Sequence, residues 1–443
     1  MLTPLMSKFA NYLAKLRSSG SSRKILLNAG WMMGEQMVKV LLSLAVNVWT
    51  ARYLGPDHFG QLSSAIAYGG IFGILAKLGL DRLAVRELVE NNDENFRRTL
   101  IGTIWTLRTL AGGLTYGFCV LLAWAGGLGD LWMLAIVAAS TVFAASDCVE
   151  LMFQARIESR RVVVIRSAAF FCTSGLKLLL LLVKAPFISF VWAALLDFAV
   201  VSMALVYVYR RHYPIPLTFS MDTALARRLL AESWPEILAG FSGLLYIRLD
   251  QVMLRSMAGA AEAGVFAVAA RLSETWYFVP MAFVASTFPS IVRYRLENPA
   301  EYLRRLQKLM LALVLLSYTV IVTVHLFAHP VIALLYGQAF QRSANILVIH
   351  IWCGLFMSLG LASGSWIMAE RRVRLNLYRN LAGAAFNVVA NLLFIPRWGA
   401  IGAAYATLGA LFVAYLAFDL VSVPMRHMLA MKLRALSLIG AKT

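Results

Sequence analysis

Charged residues are scarce in this chain of 443 residues. Asp, Glu, Lys and Arg make up only 14% of the sequence, whereas hydrophobic residues make up 60%. Soluble globular domains carry roughly 25% charged residues, so the composition excludes an ordinary soluble protein. Apolar runs of about 20 residues recur from end to end, and each is long enough to cross a bilayer. The composition therefore predicts an all-α polytopic membrane protein.

Cysteine is also rare. The four cysteines, Cys119, Cys148, Cys172 and Cys353, all fall inside apolar stretches, and their spacing contains no CxxC pair or Cys/His cluster. Zinc sites and disulfide frameworks need such clusters, so the sequence predicts neither a metal site nor a cofactor. It also contains no recognisable cleavable signal peptide.

Two further features of enzymes are missing. The sequence has no GxxxxGK[ST] motif, which excludes a P-loop ATPase. Its longest polar stretches, 210–228 and 292–308, are too short to fold as separate domains. Membrane glycosyltransferases and polymerases build their catalytic sites in large outer loops, which this sequence does not provide. We therefore expect a transporter and not an enzyme.

Turn signals such as "LGPDHFG" and "PRWG" divide the apolar sequence into twelve predicted spans. These spans are expected at 26–50, 60–80, 100–125, 131–153, 163–183, 187–209, 229–255, 263–291, 309–335, 344–368, 375–395 and 399–424.

The basic residues predict the orientation of these spans. Of the 41 Lys and Arg residues, 28 lie in the two tails and the even-numbered loops, five in the odd-numbered loops and eight within spans. The positive-inside rule therefore places both termini in the cytoplasm. Because anchoring against anionic lipid explains most of the net charge of +19, nucleic acid is not expected as a partner, but membrane lipids are.

The span pattern predicts five regions. Residues 1–24 form a cytoplasmic segment, either an amphipathic helix at the membrane surface or a frayed basic tail. Residues 25–212 form an N-terminal six-helix lobe, 213–228 a cytoplasmic linker, 229–425 a C-terminal six-helix lobe and 426–443 a basic cytoplasmic tail.

A weak internal repeat relates the two lobes. The stretches "GPDHFGQLSSAIA" (55–67) and "GAAEAGVFAVAAR" (259–271) both have glycines five apart, followed by Ala65 and Ala269 at matching places. Six spans separate the two stretches, so the lobes point in the same direction. Two parallel lobes with a binding site between them are typical of transporters.

Charges inside spans identify the candidate site, because a charge at mid-bilayer costs roughly 2.5–3.5 kcal/mol unless it faces protein or water. Arg248 and Arg271 lie at similar depth on the two helices next to the repeat. They predict a cationic surface that binds substrate, with Asp250 and Glu274 as partners of the arginines or as coupling and gating groups. The alternative is two structural ion pairs that hold the helices together.

Other polar residues within spans are weaker candidates for substrate binding. Arg166 and Lys177 lie eleven residues apart on one face of span 5, either as a cationic track or with Arg166 as an interfacial anchor. Asn387 belongs to a face of four asparagines in span 11, which either binds sugar hydroxyls or joins helices.

Three further residues are candidates for coupling or gating. Glu35 and Lys39 lie four residues apart in span 1 and can form an ion pair along the helix, with either a structural or a coupling role. Pro235 in span 7 is expected to kink its helix and allow a gating bend.

The chemistry of this charge set indicates an anionic substrate. Arginine forks match the paired oxygens of phosphate and pyrophosphate. A lipid tail can stay in the bilayer while its charged head crosses through a basic cavity. An exporter of organic cations would need a cavity dominated by carboxylates, whereas the charges within these spans are at least as basic as acidic.

Four stretches resemble a known family. These are "ARYLGPDHFGQLSSAIAY" (51–68), "LDQVMLRSMAGAAEAGVFAVAARLSE" (249–274), "LYGQAFQRSANIL" (335–347) and "NLLFIPRWGAIGAAYAT" (391–407). They are similar to the polysaccharide repeat-unit flippases, the O-antigen and exopolysaccharide transporters of the MOP superfamily. The resemblance implies a MATE-like fold in a bacterial inner membrane and a substrate of undecaprenyl-pyrophosphate-linked oligosaccharide, moved to the outer leaflet by alternating access. Of the candidate residues, Asp250 in "LDQ" matches the family pattern.

The resemblance also implies partners in the same pathway, namely a polysaccharide polymerase and the chain-length machinery. Two alternatives stay open at the level of sequence. The first is a MATE-type exporter of drugs or cations, and the second is a membrane polymerase or ligase of surface polysaccharides.

Overall fold

The computed structural model describes residues 20–438 apart from 92, 128–129, 214–216 and 218, without the side chains of residues 20–35, 159, 289, 296 and 373. The helices are, in chain order, α1 (Gly20–Lys77), α2 (Asp81–Glu90), α3 (Glu94–Ala125), α4 (Leu131–Ala138), α5 (Ser140–Phe143), α6 (Cys148–Ala155), α7 (Ser159–Leu182), α8 (Phe187–His212), α9 (Thr223–Ala258), α10 (Ala260–Thr275), α11 (Phe278–Glu297), α12 (Pro299–Tyr336), α13 (Arg342–His350), α14 (Cys353–Ala369), α15 (Val373–Phe412), α16 (Phe418–Val421) and α17 (Arg426–Leu436).

The all-α membrane architecture predicted from composition is confirmed. Among the described residues, nine helical stretches are long and apolar enough to cross a membrane. The twelve predicted spans lie mostly on helical residues, and two of the longest helices, which are kinked, each cover two of them in whole or in part. Helix α1 is interrupted at Gly55 (φ 70°) and α15 at Gly399 (φ 54°). Glycine has no Cβ and adopts these left-handed conformations without strain, so one continuous stretch becomes two spans.

Side-chain caps fix the starts of several helices at the positions where the polar loops end. The Asp93 carboxylate accepts hydrogen bonds from two main-chain N–H groups at the start of α3. Asp222 accepts from Leu225 N at 3.0 Å at the start of α9, and Asn298 accepts from Glu301 N at 3.2 Å at the start of α12. These bonds satisfy N–H groups that the first helical turn leaves without partners.

The chain divides by its contacts into two compact units, residues 1–48 and 49–443. The second unit contains two large apolar cores. One belongs to the N-terminal half (49–212) and is built around residues such as Leu100, Phe153 and Tyr209, with Leu225 and Leu229 from the start of α9 packed on it. The other belongs to the C-terminal half (223–436) and includes Leu313 and Leu359. The predicted division into two six-helix lobes stays a prediction, and most of the predicted surface helix at 1–24 lies outside the described residues.

The C-terminal segment is more ordered than a basic tail. Helix α17 buries Met428, Met431, Lys432 and Ala435 in the core of the C-terminal half. These positions repeat every three or four residues and so form one face of a helix. This spacing is visible in the sequence, but the basic residues around it led to the prediction of a basic tail.

Candidate functional site

Helices α9 and α10 form a tight antiparallel pair that carries the strongest candidate residues. A single glycine, Gly259, separates the two helices, and its φ of 95° reverses the chain. Arg248 lies ten residues before the end of α9 and Arg271 eleven residues after the start of α10, so both lie about 15 Å from the turn. The two arginines therefore lie at similar distances from the turn, and their common depth in the membrane stays a prediction.

An ion pair connects the two helices at this distance from the turn. The guanidinium of Arg248 donates to Glu274 Oε2 at 3.1 Å, and the two side chains are 29% and 17% exposed. Arg271 is exposed and lies within electrostatic range of both Glu274 and Arg248. The group contains two guanidiniums and one carboxylate, so it has an excess of one positive charge. An exposed guanidinium in such a group can form a bidentate bond with an oxyanion.

Asp250 has a different environment. It is fully buried, and its carboxylate accepts hydrogen bonds from Asn391 Nδ2 at 2.6 Å and from the Thr407 hydroxyl. The same Asn391 amide donates to Asn387 Oδ1 at 3.0 Å. A buried carboxylate whose described partners are neutral can be neutralised by a proton or by a small cation, because oxygen ligands suit hard cations.

Asp250 forms no ion pair with an arginine among the described residues, so the coupling or gating alternative stays a prediction. Residues two apart on a helix point to nearly opposite sides, so Arg248 faces α10 while Asp250 faces α15. Glu274 alone bonds Arg248 in the way that the sequence suggested for both acids. The structure thus separates a basic group from a buried acidic one on the same helix.

The two copies of the repeat meet where the halves of the chain cross. A Cβ atom added to Gly60 would lie 1.8 Å from Ala260 O, and one added to Gly264 would lie 2.0 Å from Pro56 O. Only glycine allows the two main chains to approach this closely. We call Pro56, Gly60, Ala260 and Gly264 the glycine seam. The glycines that revealed the repeat are therefore the ones that join the halves.

Two polar contacts also join the halves of the chain near the Gly259 turn and the Gly55 kink. Arg255 donates to Asp130 at 2.5 Å, which ties the end of α9 to the start of α4. Arg52 donates to the main-chain oxygen of Leu334 at 2.7 Å. These contacts hold the halves together at the end of the spans that the charge pattern predicts to face outward.

Ion pairs also join the halves at the opposite end of α9. Glu232 pairs with Arg86 at 3.1 Å and Glu236 with Arg82 at 3.4 Å. Pro235 lies between these two glutamates, within helix α9. A bend at this proline would move both ion pairs, but its gating role stays a prediction.

The basic residues of α7 have carboxylate partners. Arg166 bonds Glu150 at 2.5 Å and Asp147 at 3.1 Å, and Lys77 also pairs with Asp147 at 2.6 Å. Lys177 pairs separately with Asp197 at 2.5 Å. The two residues thus form local ion pairs within the N-terminal half, and this geometry favours a structural role over a continuous cationic track.

Comparison with known proteins identifies the family. A sequence model for polysaccharide biosynthesis proteins matches residues 25–295, more than half of the chain. The chain belongs to the polysaccharide biosynthesis protein family. The resemblance found in the sequence is thereby confirmed.

Relatives from two bacteria match nearly the whole chain. A putative O-antigen transporter of Shigella flexneri is 22% identical over 396 residues, which cover 86% of this chain and 93% of the relative. A capsular polysaccharide biosynthesis protein, CapF of Staphylococcus aureus, is 19% identical over 401 residues, with coverage of 88% and 97%.

Solved structures with the same fold confirm the MATE-like architecture of this family member. The lipid II flippase MurJ in an inward closed conformation gives a TM-score of 0.68 at 14% identity, covering 91% of this chain and 90% of that one. A multidrug resistance MATE family transporter of the MOP superfamily in an inward-facing conformation gives 0.64 at 16% identity, with coverage of 89% and 95%. The chain is therefore a multi-pass membrane protein.

The structure bears differently on the predicted roles of the remaining candidate residues. Asn387 is fully buried, so its geometry fits the helix-joining alternative and not contact with a sugar. Glu35 and Lys39 lie on α1, but the side chain of Glu35 lies outside the described residues, so their pairing stays a prediction.

Sequence reasoning missed Thr407 as a partner of Asp250. It is the single threonine of helix α15, 157 residues from the acid that it bonds. Neither spacing nor composition connects positions so far apart. Asn391 was recognisable as part of the asparagine face, but its partner was not.

Proposed function

We propose that this protein moves a polyprenyl-pyrophosphate-linked oligosaccharide from the cytoplasmic to the outer leaflet of a bacterial inner membrane. The proposal rests mainly on one observation, a basic group formed by Arg248, Arg271 and Glu274 on two predicted spans of a polysaccharide biosynthesis family member. The full-length likeness to a putative O-antigen transporter supports it.

The basic group binds the pyrophosphate of the substrate. Moving this anion through hydrocarbon without a partner is prohibitively costly, and the guanidiniums of Arg248 and Arg271 replace its lost hydration. Glu274 holds Arg248 in place across the two helices. The single excess positive charge keeps binding weak enough for the substrate to leave on the other side.

The contacts between the halves supply the alternating access. In this conformation the glycine seam and the Arg255–Asp130 ion pair close the end that faces outward. The Arg86–Glu232 and Arg82–Glu236 ion pairs are formed at the cytoplasmic end in the same conformation, and release of the substrate requires the outward contacts to separate while these pairs hold. Opening at either end breaks a small, defined set of contacts, so the protein can switch between the two open states by exchanging one set for the other.

Asp250 couples this movement to a cation. A buried carboxylate favours different packing of α15 when it is charged and when it is neutralised, since Asn391 and Thr407 donate to the charged form. Helix α9 carries both Asp250 and Arg248, so a movement of this helix on neutralisation of Asp250 also changes the position of Arg248.

The distribution of basic residues supports an orientation in the membrane, and the proposed substrate implies the partners. Both termini lie in the cytoplasm, the protein contacts membrane lipids, and its product on the outer leaflet is used by a polysaccharide polymerase and its chain-length machinery. The protein itself carries out no catalysis on the sugar.

The test is complementation of a strain that lacks the gene. We expect Arg248→Gln with Arg271→Gln to abolish surface polymer and to cause lipid-linked repeat units to accumulate on the cytoplasmic side, because the pyrophosphate loses both partners. The exposed Arg98→Gln serves as the matched control and should behave as wild type.

Other outcomes would contradict the proposal. Full polymer production by the double variant at normal protein level would exclude the arginine site. Normal polymer with increased sensitivity to cationic drugs would indicate a multidrug exporter, and altered polymer length without accumulated intermediate would indicate a polymerase.

A further inference from the structure

A second buried ion pair lies outside the basic group, where α17 docks on the C-terminal half. The Lys432 ammonium donates to Asp419 Oδ2 at 2.8 Å and to the main-chain oxygen of Tyr415 at 2.6 Å. Both charged side chains are fully buried. Replacing a buried ion pair by apolar residues is often neutral or stabilising, so its presence in a packed core calls for another explanation.

The ligands around the ammonium are those of a cation site. Tyr415 belongs to a short π-helix, Val413–Ala417, and irregular helical turns of this kind leave carbonyl groups available to other partners. The second carboxylate oxygen, Asp419 Oδ1, is buried and has no hydrogen-bond partner among the described residues. One carbonyl oxygen and a carboxylate with an unused oxygen are typical ligands of hard cations.

Neighbouring groups limit which cation the site accepts. The guanidinium of Arg379 lies over the Tyr415 ring at 4.8 Å and donates to Ser363 and to the main-chain oxygen of Gly360. The positive charge of Arg379 repels a bound cation, and it repels a divalent ion more strongly than a monovalent one. Burial lowers the pKa of Lys432 to about 8, and the Asp419 carboxylate opposes this shift because it stabilises the ammonium form.

We propose that Asp419 and the carbonyl oxygen of Tyr415 form a monovalent-cation site, distinct from Asp250, and that Lys432 is its built-in occupant. The lysine is held on α17, which also bonds α12 through Gln307 to Met431 O at 3.1 Å and through Tyr318 to Leu436 O at 3.2 Å. Docking of α17 therefore delivers a tethered cation to the site. A free monovalent cation binds there when the ammonium is removed.

The test is ion-specific rescue of Lys432→Ala in the purified full-length protein. We expect its thermal midpoint to rise by roughly 2–4 °C when choline chloride is replaced by sodium, potassium or methylammonium chloride at equal ionic strength. Wild type and the exposed Arg434→Ala, on the same helix, should show no such difference. Adding Asp419→Asn to Lys432→Ala should remove the rise.

An equal midpoint for folded Lys432→Ala in all four salts would overturn the proposal. Should this variant not fold, Lys432→Gln is measured, because its shorter neutral side chain leaves Asp419 Oδ1 accessible. If the thermal midpoint of Lys432→Gln does not depend on the salt, this result would also overturn the proposal. The measurement contains no substrate, so its outcome does not depend on the proposed transport function.

Discussion

At the scale of single residues, the position of a charge along a helix was easier to predict than its partner. The distances of Arg248 and Arg271 from the Gly259 turn follow from counting residues, and the structure places both at about 15 Å from it. The partners of Asp250 come from α15, 141 and 157 residues away. Such contacts depend on helix packing, which a single sequence does not specify.

The burial of Asp250 leads to a prediction for Asp250→Asn. The amide keeps the shape of the side chain and removes a buried charge, so we expect the free energy of unfolding to stay equal or to rise by roughly 1–2 kcal/mol. Transport should nevertheless fall at least about tenfold, because the neutral side chain no longer binds a coupling cation. Denaturation of the purified variant and transport in proteoliposomes measure the two effects.

The control for this variant is Asp57→Asn, since Asp57 is exposed and bonds only to Gln61 among the described hydrogen bonds. It should retain both stability and transport. Full transport by Asp250→Asn would show that the carboxylate has a structural role alone.

At the scale of helices, the sequence shows that the glycines are repeated, and the structure shows why. The repeat was visible as two stretches with glycines five apart, but its purpose was not. The structure shows that Gly60 and Gly264 permit main-chain contact between α1 and α10. Small residues at helix crossings let backbones approach closely in membranes, where lipid supplies no hydrophobic driving force.

A pair of glycine substitutions tests the seam. Gly264→Ala places a Cβ atom 2.0 Å from Pro56 O, so the helices must separate, and we expect a loss of roughly 1–3 kcal/mol in the free energy of unfolding. Gly70→Ala, where the added atom meets nothing within 4 Å, should be neutral or stabilising by up to about 1 kcal/mol. Thermal unfolding in detergent compares the two. Equal midpoints would contradict the seam.

At the scale of the whole molecule, the fold was largely predictable because hydropathy and charge act along the sequence. Apolar length marked the nine helical stretches that are found among the described residues, and glycine marked the two kinks in α1 and α15. The breaks within spans were not predicted. The fourth span contains a 3-10 turn at Ala144–Asp147, and the eighth is divided between α10 and α11. These irregularities have no composition signal, since the residues around them are as apolar as their neighbours.

The ion pair between the halves leads to a prediction about opening. Asp130→Arg and Arg255→Asp each place like charges together at the end expected to face outward, so each should favour the open state. We expect a cysteine at the buried position Phe59, with Cys172 replaced by serine, to react faster with a membrane-impermeant maleimide in either variant. The double charge exchange should restore slow labelling. Unchanged labelling in all three would show that this contact does not control opening.

The central claim is that Arg248 and Arg271 carry the pyrophosphate across the membrane, and flipping by purified protein tests it most directly. Proteoliposomes are loaded with a polyprenyl-pyrophosphate-linked oligosaccharide in one leaflet, and its appearance in the other is followed with an enzyme that reads the sugar. The account predicts that wild type and Arg98→Gln transfer the lipid, and that Arg248→Gln with Arg271→Gln is at least about tenfold slower. Equal rates for the double variant and wild type would contradict it.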